Sequence, residues 1–285
     1  MKNALYLLFS LTLLFSACEE TPPAIDFSEP IIPLKDSTYV AASVAVPQHK
    51  AVLIEDITGV RCINCPDAAK KAEDIVALKT EDSVVVMAIY PIQIMNNFTF
   101  PYPNVPQLAS TISKEIVEAI GIPQGLPNGY VDRKTYVGSS PVVAYNEWIN
   151  YVNARLKLKT PVNINLSKKI TGRKIMVEMR LDYNTQASSG MNHKFAIYLT
   201  ESNIISNQLD GSGINPNYVH NHALRYSFVQ PLGSLLSASS DAGRAYIKQY
   251  EYEIPTDYNI ANCHLVCVVL DNATNEVINV RSLHL

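Results

Sequence analysis

Charge is scarce in this chain and nearly cancels: 23 Lys and Arg against 26 Asp and Glu in 285 residues leave a formal net of −3. With no long run of one sign, there is no electrostatic case for nucleic acid and none for a polybasic membrane patch. Disorder is excluded too, since 47% of the chain is hydrophobic, enough to build sizeable cores. Beyond the N-terminal stretch no segment approaches 18 consecutive apolar residues, so no membrane-spanning helix is predicted. A phosphate-binding glycine loop, a Ser-His-Asp order and an HExxH motif are all missing. So is a second CxxC, which weakens any four-ligand zinc reading. No metal and no cofactor are expected.

Cysteine is also sparse, at five residues, and each has a readable place. Lys2 supplies a positive start, Ala4–Ala17 is an apolar stretch, and the small residues Ser16 and Ala17 precede Cys18. That stretch is too short to span a bilayer comfortably and fits a signal peptide over residues 1–17. The pattern resembles the lipobox of bacterial lipoproteins, although Phe15 stands where Leu is more common. The resemblance implies that Cys18 carries lipid, palmitate included, as the first mature residue. A plain secretory signal with Cys18 left as a free thiol is the alternative. Residues 18–49, with Pro22, Pro23, Pro30, Pro33 and Pro47, read as the linker that lifts the folded part from the lipid. Cys263 and Cys267 stand four apart in a predicted strand, so their Cα atoms would lie about 13 Å apart, beyond the roughly 7 Å limit for a disulfide. They are expected to be small apolar core residues.

Cys62 and Cys65 form the close pair, in Asp56-Ile57-Thr58-Gly59-Val60-Arg61-Cys62-Ile63-Asn64-Cys65-Pro66. A buried strand over Lys50–Ile57 precedes them. A helical face of Ala68, Ala69, Ala72, Ile75, Val76 and Leu78 follows, then a continuous apolar strand over Ser83–Tyr90. A thiolate at a helix N-terminus is stabilised by unpaired N–H groups, and this spacing lets the second thiol resolve a mixed disulfide made by the first. Cys62 is the expected attacking thiol, the more exposed of the two, and Cys65 the resolving one. An exported location also permits a permanent disulfide here. That is the alternative.

After a second helical pattern ending at Gly121 comes Gly121-Ile122-Pro123-Gln124-Gly125-Leu126-Pro127-Asn128-Gly129-Tyr130-Val131. With the CxxC and its strand–helix–strand frame, this resembles thioredoxin-fold proteins. The resemblance implies a cis-proline at Pro127 facing the cysteine pair, and a buried acid at Asp56 that assists proton transfer to Cys65. Arg61 replaces the Trp that often precedes the first cysteine, and Ile63-Asn64 replaces Gly-Pro, which leaves potential and direction undetermined. From Thr160 the period changes from helical to alternating, as in Ile175, Val177, Met179, Leu181 and Tyr183. The predicted fold is therefore an α/β thioredoxin-like domain over 50–159 followed by an all-β immunoglobulin-like sandwich domain over 160–285. Residues 201–223 read as a long loop.

In that loop, Tyr218-Val219-His220-Asn221-His222-Ala223-Leu224-Arg225 stands out. Two histidines two apart would share a face if extended, a partial metal site; the alternative is imidazoles that hydrogen-bond backbone and hold the loop. Together with Gly59-x-x-Cys62-x-x-Cys65-Pro66, this segment resembles a family of envelope lipoproteins named for a twenty-eight-kilodalton outer-membrane protein. The resemblance implies an outer-membrane, lipid-anchored location, and a protein partner or protein substrate. The expected function is thiol–disulfide exchange at Cys62 and Cys65. The competing expectation is a surface binding or adhesin-type protein in which the CxxC is only a structural disulfide.

Overall fold

The computed structural model describes residues 33–80, 82–237 and 239–285. The expected signal peptide, the expected lipid-anchor residue Cys18 and the first part of the expected linker lie outside the described residues. The first half carries β1 (Lys35–Val40), β2 (Val52–Ile57), α1 (Cys65–Lys79), β3 (Val84–Ile89), α2 (Asn96–Thr99), α3 (Thr111–Ile120), β4 (Asn128–Val131) and α4 (Trp148–Arg155). The second carries β5 (Val162–Thr171), β6 (Lys174–Tyr183), β7 (His193–Glu201), β8 (Ile204–Asp210), β9 (Gly213–His220), β10 (Ala223–Ser227), β11 (Ser234–Leu235), β12 (Arg244–Glu253), β13 (Cys263–Asp271) and β14 (Val277–His284).

Strands β2 and β3 are buried at every position, as their unbroken apolar runs demand, and pair in parallel with Asp56 opposite Ala88. Between them α1 opens on the Cys65-Pro66 turn, where the missing proline N–H costs nothing, and carries Asp67 in its first turn and Lys79 in its last. It buries Ala68, Ala72 and Ile75 against Val52, Ile54, Val84 and Val86. Helix α3 is capped by Ser110, whose hydroxyl accepts from the Ser113 N–H at 3.1 Å, and it stops at Gly121, where φ is +149°.

The strand order corrects the predicted fold. An independent α/β thioredoxin-like domain and a separate immunoglobulin-like sandwich are not formed; the protein is mostly β. One sheet runs β14-β13-β7-β10-β3-β2-β4, with β11 added beside β7, and so joins strands from before and after residue 160. The junction is β10, parallel to β3 through Ala223 and Ala88 and antiparallel to β7. A second sheet runs β1-β12-β6-β5. Leu53 and Met87 from the first half share one core with Ile175, Val177, Leu199 and Val268 from the second. The physical reason is edge pairing. A strand with unpaired N–H and C=O groups along one side is completed by whatever extended segment reaches it. Here that segment lies more than a hundred residues downstream, where local periodicity carries no information about it.

The 201–223 stretch also departs from the loop reading. β8 and β9 pair as an antiparallel hairpin, with Ile204 opposite His220 and Asp210 opposite Gly213. Its inward positions include Ser206 and Gln208, both buried, so the alternation is polar where a half-buried strand usually shows apolar residues. The Gly211-Ser212 turn pair was the available signal.

Candidate functional site

The end of β2 sets the site. Alternation along β2 puts Val52 and Ile54 on the face that meets α1, and Asp56 continues that face toward the helix N-terminus. The chain then turns through Gly59, where any Cβ would collide with the Phe98 carbonyl, while the Arg61 N–H donates to that same carbonyl at 2.8 Å. Arg61 is spent on the segment that follows α2: its Nε donates to Phe100 O at 2.8 Å and its guanidinium lies 4.0 Å from the Tyr102 ring centroid.

Cys62 and Cys65 are joined as a disulfide, with Cα atoms 5.3 Å apart, at the N-terminus of α1. Cys62 is not the exposed member expected from its position; both residues are only 1% accessible. The cover is the β8–β9 hairpin. Gln208 Nε2 donates to Cys62 O at 3.0 Å and to Gly59 O at 3.3 Å, and the Leu209 N–H donates to Val60 O at 2.8 Å. Gln208→Ala removes both side-chain contacts, each worth about 1 kcal/mol, together about thirtyfold in an opening equilibrium. Timed thiol labelling under dithiothreitol will show reduction of Cys62–Cys65 accelerated by about that factor.

Asp56 is 2% accessible and its Oδ1 has no hydrogen-bond partner. Burial alone pushes its carboxyl up to about 8, so it is mainly protonated at neutral pH. Asp56 and Cys65 line one cavity of about 30 Å³ with Tyr90, Gln208, Tyr218 and His220, room for about two waters. Its lining continues to the exposed Glu73 and Val219, between α1 and β9. His220 Nδ1 lies 3.0 Å from the Tyr90 hydroxyl, and burial lowers the imidazole to about 4, with the Asn207 and Ser206 backbone pulling the other way.

The Leu126–Pro127 bond is cis, and the pairing of Ile57 with Asn128 puts Pro127 level with Thr58, at the end of the sheet where the CxxC turn leaves. His220 and His222 do not share a strand, because β9 ends at His220 and His222 has a φ of +58°. Among the described residues no group of three or more His, Cys, Asp or Glu could hold a metal. Cys263 and Cys267 are free and buried. Gln208, Tyr90 and the hairpin as a cover have no counterpart among the residues expected from sequence; they are polar or aromatic residues whose role appears only when the hairpin is folded onto the CxxC turn.

A mostly β chain that holds a helix-terminal CxxC disulfide beneath a hairpin is the class defined by this fold and site. Residues 115–285, more than half of the chain, match the family described as outer membrane protein Omp28, and the chain belongs to that family, a family of the outer membrane. The matched segment contains Pro127 and the hairpin but begins after Asp56, Cys62 and Cys65. The chain is similar in fold to HBP35 of Porphyromonas gingivalis, with a TM-score of 0.64 at 16% identity over 85% of this chain and 77% of that one. A domain of the outer membrane lipoprotein Omp28 from Porphyromonas gingivalis aligns at 18% identity and a TM-score of 0.31 over 44% of this chain and 88% of that one. No curated protein matches the sequence.

Proposed function

We propose that the protein is a lipid-anchored outer-membrane protein, held through Cys18, that carries out thiol–disulfide exchange with a protein substrate at Cys62 and Cys65. The observation that supports this reading is the buried carboxyl of Asp56, its Oδ1 without a hydrogen-bond partner, in the same cavity as Cys65. A structural disulfide needs no such group, and leaving one unpaired is costly. Written for the disulfide form, a substrate thiolate attacks Cys62 Sγ and forms a mixed disulfide. The Cys62–Cys65 bond breaks with its electron pair on Cys65 Sγ, and protonated Asp56 supplies that sulfur with a proton. A second substrate thiolate then displaces Cys62, so the substrate dithiol becomes a disulfide and the cysteine pair a dithiol. The reverse sequence runs through the same groups. Pro127, at the same sheet end, is the backbone wall for the substrate. With a net charge of −3, nucleic acid is not among the partners of this reading.

The second reading, a surface binding protein in which the pair only staples its turn, is favoured by the 1% accessibility of both cysteines. Redox titration separates the two. A potential in the oxidoreductase range, about −120 to −270 mV, with insulin reduction lost in Cys62→Ser, is the expected result. A potential below about −300 mV with no insulin reduction by the intact protein would establish the staple.

A further inference from the structure

The hairpin brings one buried group that the exchange steps above do not use. His220 sits on β9, 2% accessible, and faces the cavity shared by Asp56 and Cys65. Its Nδ1 meets the Tyr90 hydroxyl at 3.0 Å, and its Nε2 makes no hydrogen bond of ordinary geometry, although the Ser206 and Asn207 backbone lies close enough to act on the ring. A neutral imidazole has one N–H. In the tautomer where the Tyr90 hydroxyl donates to Nδ1, that proton is on Nε2, a donor on a ring that lines the cavity. Asp56 Oδ1 is likewise without a partner. A buried carboxylate formed when Asp56 gives up its proton has few sources of stabilisation here, since no cation among the described residues forms an ion pair with it. A water held by the Nε2–H is one.

We infer that His220, with its tautomer set by Tyr90, is a positioning residue that stabilises the ionised Asp56 carboxylate through cavity water during proton transfer with Cys65. The role rests on the exchange reading for its purpose, but not for its test. Tyr218 on β9 and Glu73 on α1 line the same cavity, as does His222 beyond β9. Asp67 on α1 and Asp210 on β8 act on Tyr218 electrostatically. All of these are present in every variant compared below. Burial raises Tyr90 well above its usual range and Tyr218 to about 12, so neither hydroxyl titrates where Asp56 does.

Removing a donor from beside a carboxylate raises its pKa. The infrared carbonyl band of protonated Asp56, identified by its loss in Asp56→Asn, reports that titration without any activity. In full-length His220→Leu the midpoint will move up by about one pH unit, a tenfold weaker acid, and His220→Gln, which keeps an N–H donor, will return it toward the wild-type value. Tyr90→Phe, which keeps the ring and frees the imidazole to change tautomer, will give a smaller shift in the same direction; it serves if the Leu variant does not fold. An unchanged midpoint in His220→Leu, or in Tyr90→Phe where that variant stands in for it, overturns the inference. Exchange is measured separately with insulin. Midpoint shifts in the variants with no exchange by the wild-type protein refute the exchange reading alone, and exchange by the wild-type protein with no midpoint shift in the variants refutes the role of His220 alone.

Discussion

Asp56→Asn will make the protein more stable in mild alkali, by an amount on the order of 5 kcal/mol, while leaving its acid limb in place. The native carboxyl holds its proton up to about 8, against 3.8 for the ordinary group. Between those values the unfolded chain has released a proton that the native state still binds, so stability falls as pH rises from about 4 to 8 and stays low above it. At about 1.4 kcal/mol for each pH unit, the distance between the unfolded and native values gives the stated magnitude. Asparagine is isosteric and does not ionise, so the decline disappears. His220 acts in the other direction. Its native pKa of about 4 lies below the usual 6.5, so the unfolded state binds the extra proton and stability is lost as pH falls from 6.5 to 4. That slope persists in Asp56→Asn. Urea unfolding at pH 5, 7 and 9 distinguishes the two; parallel pH profiles for wild type and variant would mean that the Asp56 carboxyl is solvated. The same substitution will slow exchange at neutral pH by about a hundredfold, the lower range for loss of a positioned acid.

Arg133→Met will cost about 3–5 kcal/mol, the usual result of stranding one member of a buried ion pair. Arg133 Nη2 and Nε reach Glu55 Oε1 and Oε2 at 2.6 and 2.8 Å, with both side chains fully buried. Glu55 is on the opposite face of β2 from Asp56, so this fork lies in the core shared by the two sheets. The neighbouring Tyr198 comes from β7, and the pair therefore ties β2 and the turn after β4 to the distal half of the sheet. Removing both charges in Glu55→Leu/Arg133→Met will recover most of the loss, because the desolvation of the carboxylate goes with them. Denaturant midpoints of the single and double variants measure this. A double variant no more stable than Arg133→Met would place the cost in packing and not in the stranded charge.

These two acids show how unevenly local sequence speaks. Asp56 was expected as a buried acid only through the resemblance to thioredoxin-fold proteins that the CxxC and its strand–helix–strand frame carry. Glu55, one residue earlier, gave no sign of its partner, which is 78 positions away. The hairpin was hidden for a related reason. Gln208 is a poor candidate for an inward strand position until the carbonyls of Gly59 and Cys62 are there to accept its amide protons. Its Gly211-Ser212 turn pair is a local signal that the loop reading passed over.

By itself, then, the sequence determined the elements: a strand, a turn holding Cys62 and Cys65, and a helix, then a long alternating series of strands. Hydrophobic period, proline and glycine placement and helix-end chemistry are local, and they act over a turn or two of chain. Tertiary structure alone decided which strands became neighbours. β10 completes the open edge of β3, so the expected α/β domain and sandwich became parts of one mostly β sheet system. That pairing also folds β8 and β9 over the disulfide and places His220 on the cavity that Asp56 and Tyr90 line. The reason is the same in each case: an unpaired strand edge and a buried polar group are satisfied by whatever reaches them in space, and distance along the chain does not enter.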